Sequence, residues 1–212
     1  MGQNIVTFAL AKGRLAEKSV EILEKCGIKC KHILEPTRKL QLEDESGLYR
    51  FIFVKPTDVA IYVERGVADI GVVGKDSLLE GGQDVYELLD LGFAKCRLCL
   101  AGFEGFDVND SRNIIKVATK YENITKRFFE SRGQNIDIIT LHGSIELGPI
   151  VGLSDIILDI VESGKTLEEN NLKVLEEIAD CSARLIVNKV SLKTKVDVIK
   201  PLVNNIEKIV KA

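Results

Sequence analysis

The segment Asp155–Leu167 holds the side chains that are best placed for binding chemistry. An apolar stretch with one acid, Asp159, runs into the turn Ser163-Gly164-Lys165-Thr166, and a Glu-rich segment follows. Backbone N–H groups in such a turn, together with its two hydroxyls, can surround the oxygens of a phosphate, because the glycine permits a close approach. Asp159 is placed to accept hydrogen bonds from the hydroxyls of an attached sugar. The segment therefore predicts a sugar-phosphate site.

The last residues of this turn also resemble the end of a nucleotide-binding P-loop. That motif requires a glycine five residues before Gly164, and Asp159 stands there instead. The P-loop interpretation is therefore excluded. Taken alone, the turn is equally compatible with an ordinary strand that ends in a Ser-Gly turn.

Composition restricts the class of protein. The chain has 212 residues, of which 45% are apolar, and its net charge is −3. It can bury a substantial core, in one large domain or in two small lobes. No block of Lys or Arg stands out, so nucleic acid is not expected as a main partner. No apolar run approaches a membrane span, and residues 1–8 predict the start of a strand rather than a signal sequence, so we expect a cytoplasmic protein without membrane contact.

Five cysteines are too few and too scattered for a disulfide framework. Cys96 and Cys99 have CxxC spacing, but they fall in a strand-like run, where residues three apart face opposite sides. No second CxxC or nearby histidine completes a zinc site. We expect all five to be buried, reduced thiols. His32 and His142 lack triad partners and receive no catalytic role, although His142 could line a site at the end of a strand.

The chain contains a weak internal duplication, in which a strand, a loop with a lysine and a helix follow one another twice. The two copies are strand 5–10, Lys12-Gly13-Arg14 and helix 15–26, and strand 115–118, Thr119-Lys120-Tyr121 and helix 123–132. Each helix is followed by a glycine, which is a typical stop signal.

A second repeated signature is glycine, an apolar residue, a small residue, Asp and Ile, followed by an apolar strand. It occurs at residues 66–70 and again at residues 152–156. The helices expected before it open at Thr57-Asp58 and at Ser144. Continuous apolar strands that alternate with helices predict an α/β fold with mostly parallel sheets that are covered on both faces.

Two such units predict two lobes, with lobe I formed by residues 1–94 and 182–212 and lobe II by residues 95–181. Residues 191–212 predict a helix with one apolar face, which breaks or kinks at Pro201. Ligands of open α/β sheets gather beyond the carboxyl ends of the strands. The segments expected around a cleft between the lobes are Lys12–Arg14, Gly74–Asp76, Thr119–Tyr121 and Glu162–Thr166.

With these segments placed, the sequence resembles the short form of the ATP phosphoribosyltransferase family over nearly the whole chain. The motifs that carry the resemblance are Lys12-Gly-Arg-Leu15, Asp58 with Tyr62–Asp76, Glu146–Asp155, Asp159–Leu167 and Ser182–Asn188. Their order and separation make the match specific. The resemblance implies a fold similar to type II periplasmic binding proteins, with two lobes around a cleft.

Three positions depart from the family's pattern. Ala11 and Ala60 stand where proline is frequent, and Lys55 stands where arginine is frequent. The lysine keeps the positive charge of an arginine but cannot make its bidentate contact.

The resemblance also implies an activity and partners. The reaction is transfer of a phosphoribosyl group from phosphoribosyl pyrophosphate to N1 of ATP, with Mg²⁺ and with release of pyrophosphate, as the first step of histidine biosynthesis. The chain stops at Ala212, which leaves no room for the regulatory domain of the long form. The short form implies a separate regulatory subunit similar to histidyl-tRNA synthetase, usually in a hetero-octamer.

On this resemblance, each candidate residue receives an expected role. Adenine N1 already has a lone pair, so help is needed at the departing pyrophosphate rather than from a strong general base. Mg²⁺ is expected to stabilise that group together with protein cations. The residues that bind the ion are not assigned. Lys12 and Arg14 are expected to act in catalysis, and Asp159, with Asp155, to bind the ribose hydroxyls. The residues expected to bind the 5′-phosphate are Ser163, Gly164, Lys165 and Thr166. Asp69, Asp76 and Tyr121 are expected to orient ATP, and Glu146 and Glu162 to make further contacts with substrate.

Several of these residues have structural alternatives. Asp69 could begin its strand and cap backbone groups, Asp76 could be a helix N-cap, and Tyr121 could be packing. The alternative function is a two-lobed solute-binding or sensor module without catalysis, since a fold does not fix a function. A second alternative is a phosphoribosyltransferase that acts on another acceptor base. Only the family resemblance favours adenine over other bases.

Overall fold

The structure is a computed structural model that describes residues 5–110 and 113–212. The first four residues of the strand start expected at 1–8 lie outside the described residues. The chain divides into two compact units, Met1–Ala94 with Ser182–Ala212, and Lys95–Cys181. We call them the first unit and the second unit.

The first unit opens with alternating strands and helices. In chain order these are β1 (Val6–Ala11), α1 (Arg14–Lys25), β2 (Gln41–Glu43), β3 (Tyr49–Val54), α2 (Val59–Glu64), β4 (Ile70–Gly74), α3 (Lys75–Gly81) and β5 (Tyr86–Asp90). Short 3₁₀ turns at Lys31–Leu34 and Pro56–Asp58 precede β2 and α2.

The second unit follows without interruption, and the chain then returns to the first. The second unit contains β6 (Cys96–Gly102), β7 (Ile115–Thr119), α4 (Glu122–Glu130), β8 (Ile136–Thr140), α5 (Leu147–Ile150), β9 (Ile156–Val161), α6 (Lys165–Glu169) and β10 (Lys173–Cys181). The first unit is completed by β11 (Ala183–Val187), α7 (Lys189–Thr194) and α8 (Val196–Lys211).

Each unit has one sheet, and both sheets are mixed. The strand orders are β2-β3-β1-β4-β11-β5 and β10-β6-β9-β7-β8. Four of the nine described pairings are parallel, so the expectation of mostly parallel sheets was too strong. The antiparallel pairs involve β2, which a short turn joins to β3, and the strands at the two passages of the chain between units. Parallel pairing requires a long crossover, which the turn between β2 and β3 lacks.

Apolar side chains on the strands and on one face of the helices form the cores. In the first unit the rings of Phe8 and Phe51 stack with centroids 5.3 Å apart. Helix α1 buries Ala16, Val20 and Leu23 at helical spacing against this sheet. The described residues contain no helix long and apolar enough to span a membrane.

Two helices differ from the expectation. The interruption in the C-terminal segment lies at Lys195, and α8 continues through Pro201. Pro201 is exposed, so the carbonyl that its missing N–H leaves unbonded can face water. The helix expected from Ser144 is the single turn α5, because Ser144 has a left-handed backbone (φ 47°) and Pro149 follows soon after.

Candidate functional site

The turn after β9 has the geometry of an anion-binding loop. Gly164 adopts a left-handed conformation, with φ 79°, and its carbonyl accepts a hydrogen bond from Glu168 N–H, so that α6 begins immediately after it. A side chain at this φ would strain the backbone, which explains the glycine. Val161 and Leu167 are buried on either side and hold the turn in place. The polar groups of Ser163 and Thr166 are left on the surface of the second unit.

This turn forms one wall of a cavity of about 280 Å³ that lies entirely within the second unit. Its lining combines apolar side chains with acids, hydroxyls and the glycine turn. The lining residues are Cys99, Ala101, Glu146, Ile157, Asp159, Ile160, Val161, Glu162, Ser163, Gly164, Thr166 and Leu167. The cavity brings together six of the residues predicted from sequence: Glu146, Asp159, Glu162, Ser163, Gly164 and Thr166.

Asp159 is the best-defined charge in this cavity. Its Oδ1 accepts a hydrogen bond from Ile160 N–H at 2.8 Å and lies 3.3 Å from Lys120 Nζ. Burial raises the pKa of Asp159, and the nearby Glu146 raises it further, while Lys120 acts in the opposite direction. The carboxylate is mostly shielded from water and keeps an oxygen that can accept further hydrogen bonds.

Lys120 was missing from the candidate site residues. It follows β7, which is the parallel neighbour of β9, so the lysine emerges beside Asp159 at the same edge of the sheet. The sequence did place it after the carboxyl end of a strand, and that position was the signal. What the sequence lacks is the register Thr119↔Leu158, which sets Lys120 against Asp159.

Tyr121 and Lys165 do not line the cavity. Tyr121 is buried, its backbone N–H donates to Thr119 Oγ1 at 2.9 Å, and Lys120 Nζ lies 4.9 Å from the centre of its ring. It therefore packs beneath the lysine that pairs with Asp159. Lys165 is exposed at the first position of α6.

Asp155 and Asp69 lie at the opposite ends of their strands from the predicted binding loops. Asp155 precedes β9, and its Oδ2 accepts a hydrogen bond from Lys116 N–H at 2.7 Å. Asp69 precedes β4, and its Oδ2 accepts from Thr7 N–H at 2.8 Å. Asp69 also accepts from Ser191 Oγ and pairs with Lys195. Each aspartate binds the start of a neighbouring strand in its own unit, at the edge of the sheet opposite to the one where the binding loops of that unit emerge.

The first unit presents its own charged edge. Lys12 and Arg14 follow β1 and Asp76 follows β4; since these strands are parallel neighbours, the three residues share one edge of the sheet. Lys12 Nζ lies 5.9 Å from the ring centre of Phe53. A second cavity, of about 360 Å³, lies beside them and is lined by Lys12, Gly13, Ala16, Glu17, Ile33, Leu34, Glu35, Pro36, Thr37, Lys39 and Phe53. The contribution of residues 33–37 and of Lys39 to this cavity was not predicted from the sequence.

Metal and thiol chemistry have little support in the described residues. Across residues 5–110 and 113–212, no three His, Cys, Asp or Glu side chains are grouped to hold a metal ion. All five cysteines are thiols. Burial raises the pKa of Cys99, and burial together with Glu24 and Asp44 raises that of Cys30 to about 12. These thiols are therefore protonated near neutral pH and poor nucleophiles.

Comparison with known proteins gives a consistent result. The family model described as ATP phosphoribosyltransferase matches residues 55–208. The ATP phosphoribosyltransferase of Brachyspira hyodysenteriae is 55% identical over 206 residues, covering 97% of this chain and 100% of that protein. That of Ruminiclostridium cellulolyticum is 53% identical over 203 residues, covering 95% of each.

Solved structures extend the comparison to the fold. The ATP phosphoribosyl transferase (HisG:HisZ) complex from Thermotoga maritima contains a chain with a TM-score of 0.86 and 36% identity, covering 98% of this chain and 99% of that one. The periplasmic aliphatic sulphonate binding protein SsuA from Escherichia coli has a TM-score of 0.60 and 12% identity, covering 98% of this chain and 68% of that one. The second likeness concerns the fold alone, and it confirms the prediction of a two-lobed fold like that of type II periplasmic binding proteins.

Proposed function

This chain belongs to the ATP phosphoribosyltransferase family, and from that premise we propose how its residues carry the reaction. The enzyme transfers a phosphoribosyl group from phosphoribosyl pyrophosphate to N1 of ATP and releases pyrophosphate, in the first step of histidine biosynthesis. A solute-binding module without catalysis is not favoured, because the periplasmic binding protein shares only the fold, whereas the relatives with high identity are named as transferases.

The cavity of the second unit is proposed to hold phosphoribosyl pyrophosphate, with its 5′-phosphate at the turn Ser163–Thr166. The observation that carries this proposal is the left-handed Gly164 between two hydroxyl residues at the cavity wall. Backbone N–H groups that begin α6 and the Thr166 hydroxyl supply donors of the kind that phosphate oxygens accept. Lys165, exposed beside the turn, adds positive charge.

The ribose is proposed to lie against the apolar side chains of the cavity lining, with its hydroxyls towards Asp159 and Glu146. Asp159 is held by Lys120 at 3.3 Å and by Ile160 N–H, so its orientation is fixed before the substrate arrives. Such preorganisation lowers the entropic cost of binding. Glu162 stands on the same rim and is proposed to contact the substrate's polar edge.

Residues of the first unit are proposed to act on the other reacting groups. Lys12 and Arg14 are assigned to the pyrophosphate that departs, and Asp76, in the first turn of α3, to ATP. Charge develops on the leaving pyrophosphate and on the ribose ring, so cations fixed near it act on the transition state more than on the bound substrate. Asp69, Asp155 and Tyr121 are proposed to support the fold rather than to bind substrate.

Mg²⁺ is proposed to arrive with the substrate. The described residues offer no ready-made cluster of three metal-binding side chains, which fits an ion held mainly by phosphate oxygens and water. An ion bound in that way would neutralise part of the pyrophosphate charge. Magnesium commonly binds proteins through one or two carboxylates plus substrate phosphates.

The partner is proposed to be a regulatory subunit similar to histidyl-tRNA synthetase, in a hetero-octamer located in the cytoplasm. The similar chain from Thermotoga maritima was solved in a complex named HisG:HisZ, and this chain covers 99% of it. This chain also covers 100% of the relative from Brachyspira hyodysenteriae.

Calorimetric titration with phosphoribosyl pyrophosphate and Mg²⁺ tests the proposed cavity. Thr166→Ala removes a hydrogen bond to a charged group, worth about 1.5–3 kcal/mol, so affinity should fall about ten- to a hundred-fold. Thr140→Ala is the matched control, because Thr140 is an exposed threonine of the same unit that lies outside the cavity lining. Equal affinities in the two variants, with unchanged circular dichroism, would contradict the placement of the phosphate.

A further inference from the structure

Cys96 and Cys181 stand directly opposite each other on neighbouring antiparallel strands. Cys96 is the first residue of β6 and Cys181 is the last residue of β10, and the two are register partners. Opposed residues of an antiparallel pair project from the same face, with Cα atoms about 4.5–5.5 Å apart. That separation lies within the roughly 4.4–6.8 Å that a disulfide requires.

The CxxC spacing in the sequence points to a different pair, Cys96 with Cys99. Three residues apart on a strand, these two thiols face opposite sides of the sheet. Cys99 lines the cavity of the second unit, and its register partners are Asp159 and Glu177. The partner of Cys96 is therefore distant in the sequence and adjacent in the sheet.

The two cysteines also mark both ends of the second unit, which runs from Lys95 to Cys181. Their burial differs: Cys96 is half-buried, whereas Cys181 is buried. An external reagent therefore reaches Cys96 first, and Cys181 is the thiol positioned to react in a second, intramolecular step.

We propose that Cys96 and Cys181 form a reversible thiol-modification site that reacts with low-molecular-weight disulfides. The Cys96 thiolate attacks one sulfur of the reagent, which forms a mixed disulfide and releases one thiolate. Cys181 then attacks the Cys96 sulfur and releases the second thiolate. Two protein thiols are oxidised to one disulfide, the reagent is reduced to two thiols, and the two protons from the cysteines pass to the leaving thiolates.

The cross-link joins the two ends of the unit that carries the binding cavity. A bond between distant positions restricts the unfolded chain and so favours the folded state. The oxidised protein is expected to melt at a higher temperature than the reduced protein, and dithiothreitol is expected to restore the original melting temperature. This inference is independent of the transferase reaction.

The test is incubation of the folded chain with oxidised glutathione, followed by denaturation, alkylation of the remaining thiols and peptide mapping. We expect alkylation of Cys26, Cys30 and Cys99 only, and a cross-linked peptide that joins Cys96 to Cys181. Cys181→Ser should stop at a glutathione adduct on Cys96. Cys96→Ser should give neither the adduct nor the cross-link.

Cys26→Ser is the matched control, because Cys26 is also half-buried but belongs to the first unit. This variant should still form the cross-link and show the rise in melting temperature. The proposal is overturned if all five thiols are alkylated when the protein is denatured after the incubation. A cross-link from Cys96 to any other cysteine, or its loss in Cys26→Ser, would overturn it as well.

Discussion

In both units an aspartate that precedes a strand is hydrogen-bonded to the backbone of the neighbouring strand. The units differ in whether other side chains bury this aspartate. In the first unit Asp69 donates its N–H to Thr7 O and accepts from Thr7 N–H, both at 2.8 Å. In the second unit Asp155 donates to Lys116 O at 2.9 Å and accepts from Lys116 N–H at 2.7 Å. The duplicated signature therefore encodes a clamp between neighbouring strands.

The two aspartate side chains differ in their exposure to solvent and in their further partners. Asp69 is 4% exposed, because Ser191 Oγ donates to its Oδ1 at 2.6 Å and Lys195 Nζ lies 2.7 Å from its Oδ2. Asp155 is exposed. The C-terminal helices thus add a second layer over the clamp of the first unit only. One sequence motif produces a buried ionic centre in one unit and a surface cap in the other.

The largest effect is expected for Asp69→Ala. The substitution leaves Lys195 without its carboxylate and Thr7 N–H without its acceptor, so the free energy of unfolding should fall by about 3–5 kcal/mol. Urea denaturation followed by circular dichroism measures the loss. If Asp69→Ala lowers the free energy of unfolding only as much as Asp155→Ala does, the contacts from Ser191 and Lys195 add no stability.

A smaller loss is expected for Lys195→Met, which keeps the apolar stem and removes the charge. Asp69 would retain Thr7 N–H and Ser191 Oγ but lose one charged donor, at a cost of about 1–3 kcal/mol. The same denaturation experiment applies, with exposed Lys193→Met as the matched control. If both lysine variants unfold alike, the ion pair does not stabilise the clamp.

Asp155→Ala should cost about 0.5–1.5 kcal/mol, since it removes one hydrogen bond at the surface. Because Asp155 lies outside the cavity lining, the affinity for phosphoribosyl pyrophosphate should stay at the wild-type value. Calorimetry measures that affinity. If the folded variant binds phosphoribosyl pyrophosphate tenfold more weakly, Asp155 contributes to substrate binding.

The smallest change in stability is expected for Asp159→Asn, at the other end of β9, and it has the opposite sign. Burial raises the folded-state pKa of Asp159 above its unfolded value. Its contribution to stability is therefore complete below the unfolded pKa and is lost as the pH rises through the folded pKa. The neutral amide should melt slightly higher than the wild type at pH 7, with the difference shrinking in acid.

The same Asp159→Asn variant should bind phosphoribosyl pyrophosphate about tenfold or more weakly at pH 7, since it loses a charged acceptor. In the wild type, affinity should fall as the pH falls through the raised pKa of Asp159. Titrations at several pH values measure this dependence. If the variant keeps wild-type affinity, the ribose does not bind at Asp159.

The sequence predicted what depends on local pattern. The strand–loop–helix repeats, the Ser-Gly-x-Thr turn and the two-lobed fold follow from periodicity, glycine positions and the family resemblance. The sequence also indicates that Asp69 and Asp155 lie away from the ligand edge of each sheet. Both precede their strands, whereas ligands gather beyond the carboxyl ends of strands. The family resemblance, by contrast, implied contacts with substrate for both, and these roles stay predictions.

What the sequence did not predict depends on register between distant segments. Lys120 meets Asp159 only because β7 and β9 pair with one particular offset. Cys96 faces Cys181 for the same kind of reason. The contacts of Lys195 at the helix break, to Asp69 and to Ile5 O, also join segments that are far apart in the sequence.

The order of the strands also bears on how this chain folds during synthesis. The second unit is one continuous stretch, so all its strands are available once Cys181 has been made. The sheet of the first unit is incomplete until β11 inserts between β4 and β5, which were made long before. Pairing across so long a separation is slow. During synthesis, therefore, the unit with the binding loop is expected to be finished first, while β4 and β5 wait with unpaired edges that a chaperone or a neighbouring chain can reach.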